Sequence, residues 1–255
     1  MHISKYSANG NDFVIFHTDI KKERSKLAEI ICNRHEGVGA DGLIVILPSK
    51  EYDFEWQFYN SDGSKASMCG NGSRACALYA CTNKLAKKQM KFLTDAGVIS
   101  AHVDKNMVEV ELTTPKKLRE PFEDMGFVWH HYDTGVPHLV TIVDNIDKFD
   151  FAISSKMRYN YNSNVNFVTI LENNELLVRT YERGVEDETL ACGTGMAAGF
   201  YTALNLKKVN YFAKVIPKSK DELFLRYENG KIFFKGEVRF IFKADLSREL
   251  SEVFN

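Results

Sequence analysis

"MCGNGSRACA" (Met68–Ala77) and "ACGTGMAAGF" (Ala191–Phe200) carry the same C-G-x-G corner twice, Cys69 and Cys192 being 123 residues apart. Each places a cysteine before a tight, glycine-containing turn and what reads as the start of a helix. A shift of 123 also carries Gly70 onto Gly193, Gly72 onto Gly195, Ala75 onto Ala198 and Ala80 onto Ala203. The same shift brings the apolar run "GLIVIL" (Gly42–Leu47) within one residue of "NFVTIL" (Asn166–Leu171). One match could be chance. An ordered set predicts two domains of one design.

The rest of the chain fits that reading. "DFVIF" (Asp12–Phe16), "GLIVIL" and the alternating "EWQFYN" (Glu55–Asn60) predict strands. "ERSKLAEIICNR" (Glu23–Arg34), "SRACALYACTNKLA" (Ser73–Ala86) and "TGMAAGFYTALNL" (Thr194–Leu206) predict helices. "KFLTD", "VISAHV" and "MVEVEL" follow the first cysteine helix as strands. The polar stretch "TTPKKLREPFED" (Thr113–Asp124) holds two of the five prolines and predicts a crossover between domains. "HLVTIV" (His138–Val143) and "NFVTIL" then restart the β pattern, and "LFLRYENGKIFFKGEVRFIF" predicts a β-meander turning at Asn229–Gly230.

Composition narrows the function classes. The 255 residues, 44% of them hydrophobic, suit one large or two small globular domains. A net charge of −1 provides no basic field for nucleic acid or an anionic membrane. The run "KLAKKQMK" (Lys84–Lys91) reads as a solvated helix end. No signal peptide or spanning segment is expected, which points to the cytoplasm. The five cysteines, Cys32, Cys69, Cys76, Cys81 and Cys192, are odd in number and lack the close pairs of a zinc site. Neither a disulfide framework nor a metal is expected. Cys32, Cys76 and Cys81 read as buried thiols.

The two corner cysteines read differently. A helix N-terminus offers unpaired amides and the positive end of the macrodipole, both of which favour thiolate over thiol. Glycine lets the backbone approach a ligand closely, and the amides form an anion nest. Two such corners facing each other across a cleft could hold one carboxylate. One thiolate would take an α-proton from one face while the other thiol delivers a proton to the opposite face. That inverts a carbon without a cofactor. A lone C-G-x-G is weak evidence, since small residues are common at such turns. Two copies in related contexts favour the chemical reading.

The motifs "GNDFV", "GADGLI", "FYNSDGS", "MCGNGSRA", "GVPH", "SNVNFV" and "YERGVEDETLACGTG" occur in an order that resembles the diaminopimelate epimerase family over essentially the whole length. The resemblance implies an α/β fold of two pseudo-symmetric domains. Each would be a mixed, curled β-sheet around a central helix, with the active site in the cleft between them. It places the domains at about residues 1–114 and 115–243, with a C-terminal strand near 244–255 returning to the first. It implies a homodimer, no cofactor, and interconversion of LL- and meso-2,6-diaminopimelate in lysine and peptidoglycan precursor synthesis. Cys69 would be the proton donor and Cys192 the acceptor from LL to meso. His138 and Glu182 would support the thiols or orient the substrate amine. Gly70, Asn71, Gly193 and Thr194 would donate to the reacting carboxylate, and Asn11, Asn60, Asn164 and Arg183 would hold polar groups of the substrate. Taken alone, His138 would read as a structural histidine, Glu182 as a surface charge, and Asn11 and Asn60 as turn residues.

Two departures stand out. Many members carry Asn before the Pro-His, where this chain has Val136, and some carry Gln where it has Gly42. The nearest alternative is a proline or hydroxyproline racemase of the same fold, whose first corner typically reads M-C-G-H. A phenazine-type isomerase would not be expected to keep both cysteines. A thiol redox sensor and a non-catalytic binding module are the alternatives from other classes.

Overall fold

The computed structural model describes residues 2–247. The chain divides into two compact units, one running to Val110 and resuming at Glu237, the other spanning Glu111–Gly236.

The first unit contains β1 (His2–Ala8), β2 (Asn11–His17), α1 (Ser25–Cys32), β3 (Gly42–Leu47), β4 (Phe54–Asn60), α2 (Gly70–Thr82), β5 (Gln89–Thr94), β6 (Gly97–Asp104) and β7 (Met107–Glu111). The second contains β8 (Lys116–Asp124), β9 (Phe127–Asp133), β10 (Pro137–Val143), α3 (Phe151–Tyr161), β11 (Asn164–Ile170), β12 (Glu175–Glu182), β13 (Asp187–Thr189), α4 (Gly193–Asn205), β14 (Phe212–Ile216), β15 (Leu223–Glu228) and β16 (Lys231–Glu237). A final strand, β17 (Arg239–Asp245), pairs antiparallel with β1 in the first unit. Residues 248–255 of the expected returning segment lie outside the described residues.

The duplication extends to the direction of each strand pair. The first unit runs β17-β1-β2-β3-β4-β5-β6-β7, with β2–β3 and β4–β5 parallel and the rest antiparallel. The second runs β8-β9-β10-β11-β12-β14-β15-β16, with β10–β11 and β12–β14 parallel and the rest antiparallel. It adds β13, a short hairpin partner of β12.

In each unit the sheet curls around one 13-residue helix. Helix α2 packs on β1, β2, β3 and β6, and α4 packs on β9, β10, β11, β12 and β14. Both helices are buried on nearly every side, so they use small residues rather than an apolar stripe. Ala75, Ala77, Ala80, Ala197, Ala198 and Ala203 are all fully buried. A Cβ on Gly199 would lie 2.9 Å from Val168 Cγ2. A second helix covers the outer face, α1 on β3 and β4, and α3 on β11 and β12. Strands covered on both faces read as continuous apolar runs, and every residue of β3 is buried.

Several expectations shift. Helix α2 begins three residues before Ser73 and α4 one before Thr194, because each cysteine is itself the N-cap. The expected crossover at Thr113–Asp124 is largely a strand. Nearly all of β8 is exposed, it hairpins onto β9 through the positive-φ pair Met125–Gly126, and its register shifts twice. An exposed edge strand tolerates the polar residues and proline that suggested a linker. Strands β1 and β9 carried no recognised signal. Neither did α3, although Asp150 Oδ1 caps it by accepting from Ile153 N at 2.8 Å. Asn229 and Gly230 both have positive φ in the β15–β16 turn, as the hairpin reading requires.

Candidate active site

Each cysteine stands at the N-cap of its unit's central helix in extended backbone, Cys69 at φ −148° and ψ 120°, Cys192 at φ −113° and ψ 108°. Each carbonyl accepts the first helical bond, from Ser73 N at 2.8 Å and Met196 N at 2.9 Å. The next residues, Gly70 and Asn71 or Gly193 and Thr194, form the opening helical turn, whose amides have no intrahelical acceptor by geometry.

In the first unit, Cys69 Sγ accepts from Gly72 N at 3.3 Å and lies 3.7 Å from Asn11 Oδ1, to which the thiol donates. Asn11 is oriented from behind, its Nδ2 donating to Asp41 Oδ2 at 2.8 Å. Asp41 is held in turn, accepting from Asp12 N at 3.0 Å and from Arg34 at 2.8 Å. Burial would raise the Asp12 carboxyl, but hydrogen bonds from Arg34 and Lys5 outweigh it and bring it down to about 2. Asn71 Oδ1 accepts from the buried Arg74 at 2.8 Å. Asn60 bonds within its own turn, Nδ2 to Ser64 Oγ at 2.9 Å.

In the second unit, Cys192 Sγ lies 3.5 Å from Thr194 Oγ1, and that hydroxyl lies 2.9 Å from His138 Nε2. His138 is fully buried. Burial, reinforced by the charge of Arg183, pushes its imidazole down to about 3 against the opposing Asn166 hydrogen bond, so it is neutral at physiological pH. Asn164, its neighbour across the parallel β10–β11 pair, accepts from Arg183 N at 2.7 Å through Oδ1. The Arg183 guanidinium donates to Asn162 O at 3.0 Å. Glu182 ends β12, and burial raises its carboxyl above the ordinary glutamate range. Within this unit the structure gathers Cys192, Gly193, Thr194, His138, Asn164 and Arg183 around one corner. Within the other it gathers Cys69, Gly70, Asn71 and Asn11.

The remaining cysteines read from the sequence as buried thiols separate cleanly. Burial pushes the Cys32 thiol up to about 12 and raises that of Cys76 well above its ordinary value, so both are inert near neutral pH. Cys81 is only half-buried.

Four residues of these corners escaped sequence reading: Asp41 and Arg34 behind Asn11, and Asn166 and Thr180 behind His138. The asparagine pair Asn164 and Asn166 was the available signal. Two amides spaced i, i+2 in an otherwise apolar strand point to one face. The Gly42 departure also has a cause: a Cβ there would lie 2.6 Å from the Phe58 ring and 2.8 Å from the Tyr59 carbonyl, so no side chain fits.

Comparison with known proteins defines the class first. The fold is shared with a Bacillus anthracis phenazine biosynthesis protein of the PhzF family (TM-score 0.72, 16% identity, 97% of this chain and 99% of that one). It is also shared with a probable proline racemase from Agrobacterium radiobacter (TM-score 0.73, 11% identity, 97% and 93%). The protein thus shares its fold with those chains. The diaminopimelate epimerase family model matches residues 3–118 and 131–240. Relatives named diaminopimelate epimerase are 59% identical in Nitratiruptor sp. (96% of this chain, 98% of the relative) and 55% in Campylobacter jejuni (96% and 98%). One in Helicobacter pylori is 44% identical (97% and 97%). The chain belongs to the diaminopimelate epimerase family and is an isomerase. That membership sets aside the racemase reading, since the likeness to the racemase is one of fold alone.

Proposed function

We propose that the protein interconverts LL- and meso-2,6-diaminopimelate by two-base proton transfer between Cys69 and Cys192, in the supply of lysine and peptidoglycan precursors. The observation that carries this reading is the matched placement of the two sulfurs. Each belongs to the N-cap residue of its unit's central helix, beside an opening turn whose amides have no intrahelical acceptor by geometry.

In the proposed LL to meso direction, the Cys192 thiolate takes the α-proton and becomes a thiol. The bond pair left on carbon delocalises into the carboxylate. Amides of Gly70, Asn71, Gly193 and Thr194 are suited to the negative charge that develops there. The Cys69 thiol delivers its proton to the opposite face and becomes a thiolate. Atoms and charge balance, and proton exchange with solvent returns Cys192 to thiolate and Cys69 to thiol before the next turnover in the same direction. The Thr194 hydroxyl, 3.5 Å from Cys192 Sγ, can donate to the thiolate before transfer. Asn11 can accept from the Cys69 thiol before delivery. Glu182, whose carboxyl burial raises above the ordinary glutamate range, and neutral His138 support the thiols or orient the substrate amine. Asn60, Asn164 and Arg183 are assigned to polar groups of the substrate, with Asn60 required to leave its turn bond. A homodimer in the cytoplasm, working without a cofactor, completes the reading.

The test uses reduced protein and LL-diaminopimelate in D2O, with L-proline as the control substrate. Meso product carrying α-deuterium, lost on Cys69→Ala or Cys192→Ala, is the expected result. Exchange into proline but not diaminopimelate would overturn the substrate assignment.

A further inference from the structure

The two units provide an internal comparison at each register position. His138 pairs with Asn164 as Phe13 pairs with Gly42. Asn166 pairs with Thr180 as Ile44 pairs with Phe58. Thus the place filled by Phe13, Ile44 and Phe58 under α2 is filled by His138, Asn166 and Thr180 under α4. All six side chains are buried. The second glycine of each corner lies against its set. A Cβ on Gly72 would meet Ile44 Cδ1 at 3.4 Å and Phe13 at 3.5 Å, whereas one on Gly195 would lie 2.4 Å from Asn166 Oδ1 and 2.9 Å from Thr180 Oγ1. The fold closes this space with hydrocarbon in one unit, so the buried polar set in the other is not a requirement of the fold.

We propose that Asn166 and Thr180 are positioning residues that hold His138 as the neutral imidazole protonated on Nε2, with that N–H donated to the Thr194 hydroxyl. The amide orientation of Asn166 decides it. Its Nδ2 lies 2.8 Å from the Leu139 carbonyl, which only accepts, and 3.1 Å from His138 Nδ1. Its Oδ1 accepts from the Thr180 hydroxyl at 2.9 Å. Turning the amide over would set Oδ1 against the Leu139 carbonyl, two acceptors face to face. Nδ2 therefore donates to both partners, and Nδ1 is an acceptor. A neutral imidazole has one N–H, so the proton is on Nε2. Thr194 Oγ1, 2.9 Å away, accepts it and keeps its own hydrogen for Cys192 Sγ. Asn164 Nδ2 also lies 3.3 Å from Nε2, the longer of the two amide contacts on the ring, and with Nε2 protonated it packs against the ring without donating to it. The result is a directed chain from Thr180 through Asn166, His138 and Thr194, with every hydrogen pointing toward Cys192. With the opposite tautomer, Nδ1 would set its N–H against the Asn166 amide nitrogen, which cannot accept, while Nε2 would accept from Thr194 Oγ1 or Asn164 Nδ2.

The kinetic consequence rests on the two-thiol reading, while the tautomer stands without it. The experiment is ¹⁵N-histidine NMR on the full-length protein at neutral pH, using two-bond correlations to locate the ring proton and His138→Gln to assign the resonance. Nε2 protonated and Nδ1 bare is expected; a proton on Nδ1 overturns the proposal. In Asn166→Asp the carboxylate should draw the proton to Nδ1 and lower kcat at least tenfold with KM nearly constant. Should that variant not fold, Thr180→Val is read instead. It should lower kcat several-fold in the same pattern and broaden or shift the ring resonances. Unchanged kcat with a relocated proton would overturn the positioning role. If no diaminopimelate turnover is found, the spectrum still decides the tautomer.

Discussion

Helices α2 and α4 start on the same residue type, in the same place, and their sulfurs are held differently. Cys69 is tied to its own helix through Gly72 N and to Asn11 from β2. Cys192 has no side-chain capping bond and instead faces a hydroxyl, Thr194, backed by a buried histidine. Support for the first sulfur comes from a charged, partly exposed lattice of Asn11, Asp41, Asp12 and Arg34. Support for the second comes from a neutral, buried chain. One duplicated scaffold can therefore give two identical thiols different environments, because the strand positions beneath each helix accept either hydrocarbon or a satisfied polar set.

The contrast can be broken most forcefully at the sulfurs. Removal of either thiol, by Cys69→Ala or Cys192→Ala, should lower kcat by about 10²- to 10⁴-fold, the usual reach of a general acid or base. Steady-state kinetics would show it, with thermal melts confirming folding. If one variant kept near-normal turnover, the corners would not be a working pair.

The second glycines sharpen the comparison. Gly195→Ala should destabilise by about 1–3 kcal/mol, since its Cβ cannot coexist with Asn166 and Thr180 in place. Gly72→Ala meets Cys69 Cβ at 3.3 Å and hydrocarbon at 3.4 and 3.5 Å, which neighbours can yield to by a few tenths of an ångström, and should change stability by less than about 1 kcal/mol. Urea titration of both variants tests the difference, and equal effects would refute the contrast in packing.

His138 makes a pH prediction that its counterpart Phe13 cannot. The unfolded imidazole titrates near 6.5 and the folded one near 3. Between these values the unfolded state binds the extra proton. The contribution to stability is thus fully present above about pH 6.5 and is lost as pH falls toward 3, at no more than about 1.4 kcal/mol per pH unit. Comparing unfolding free energies at pH 7 and 5 should give a flatter dependence in His138→Asn than in the parent.

The smallest effect is expected at Asp41. Asp41→Ala removes the carboxylate that accepts from Asn11, Asp12 N and Arg34, and at this partly exposed site should cost about 1–2 kcal/mol. It should also alter kcat/KM by a few-fold. An effect as large as cysteine removal would mean that this side lattice does more than orient Asn11.

Reading from the chain worked where a local rule acts alone. The repeat, the two cysteine helices and the Asn229–Gly230 turn depend on short-range backbone chemistry, which adjacent residues express. It missed α3, whose Asp150 cap is plain only in hindsight, and it took β8 for a linker. An exposed edge strand has no buried face to impose alternation. Asp41, itself held by Arg34, reaches Asn11 from 30 residues away, and Asn166 reaches His138 from 28 residues away. No spacing rule joins such residues.

The sequence by itself determined that two cysteines would stand at the starts of two equivalent helices, because a C-G-x-G corner repeated at one offset carries that geometry in its own backbone preferences. Only the tertiary structure decided what stands behind each sulfur. Strand pairing brings Phe13, Ile44 and Phe58 together in one unit and His138, Asn166 and Thr180 in the other, and the direction of a hydrogen bond exists only once its partners meet.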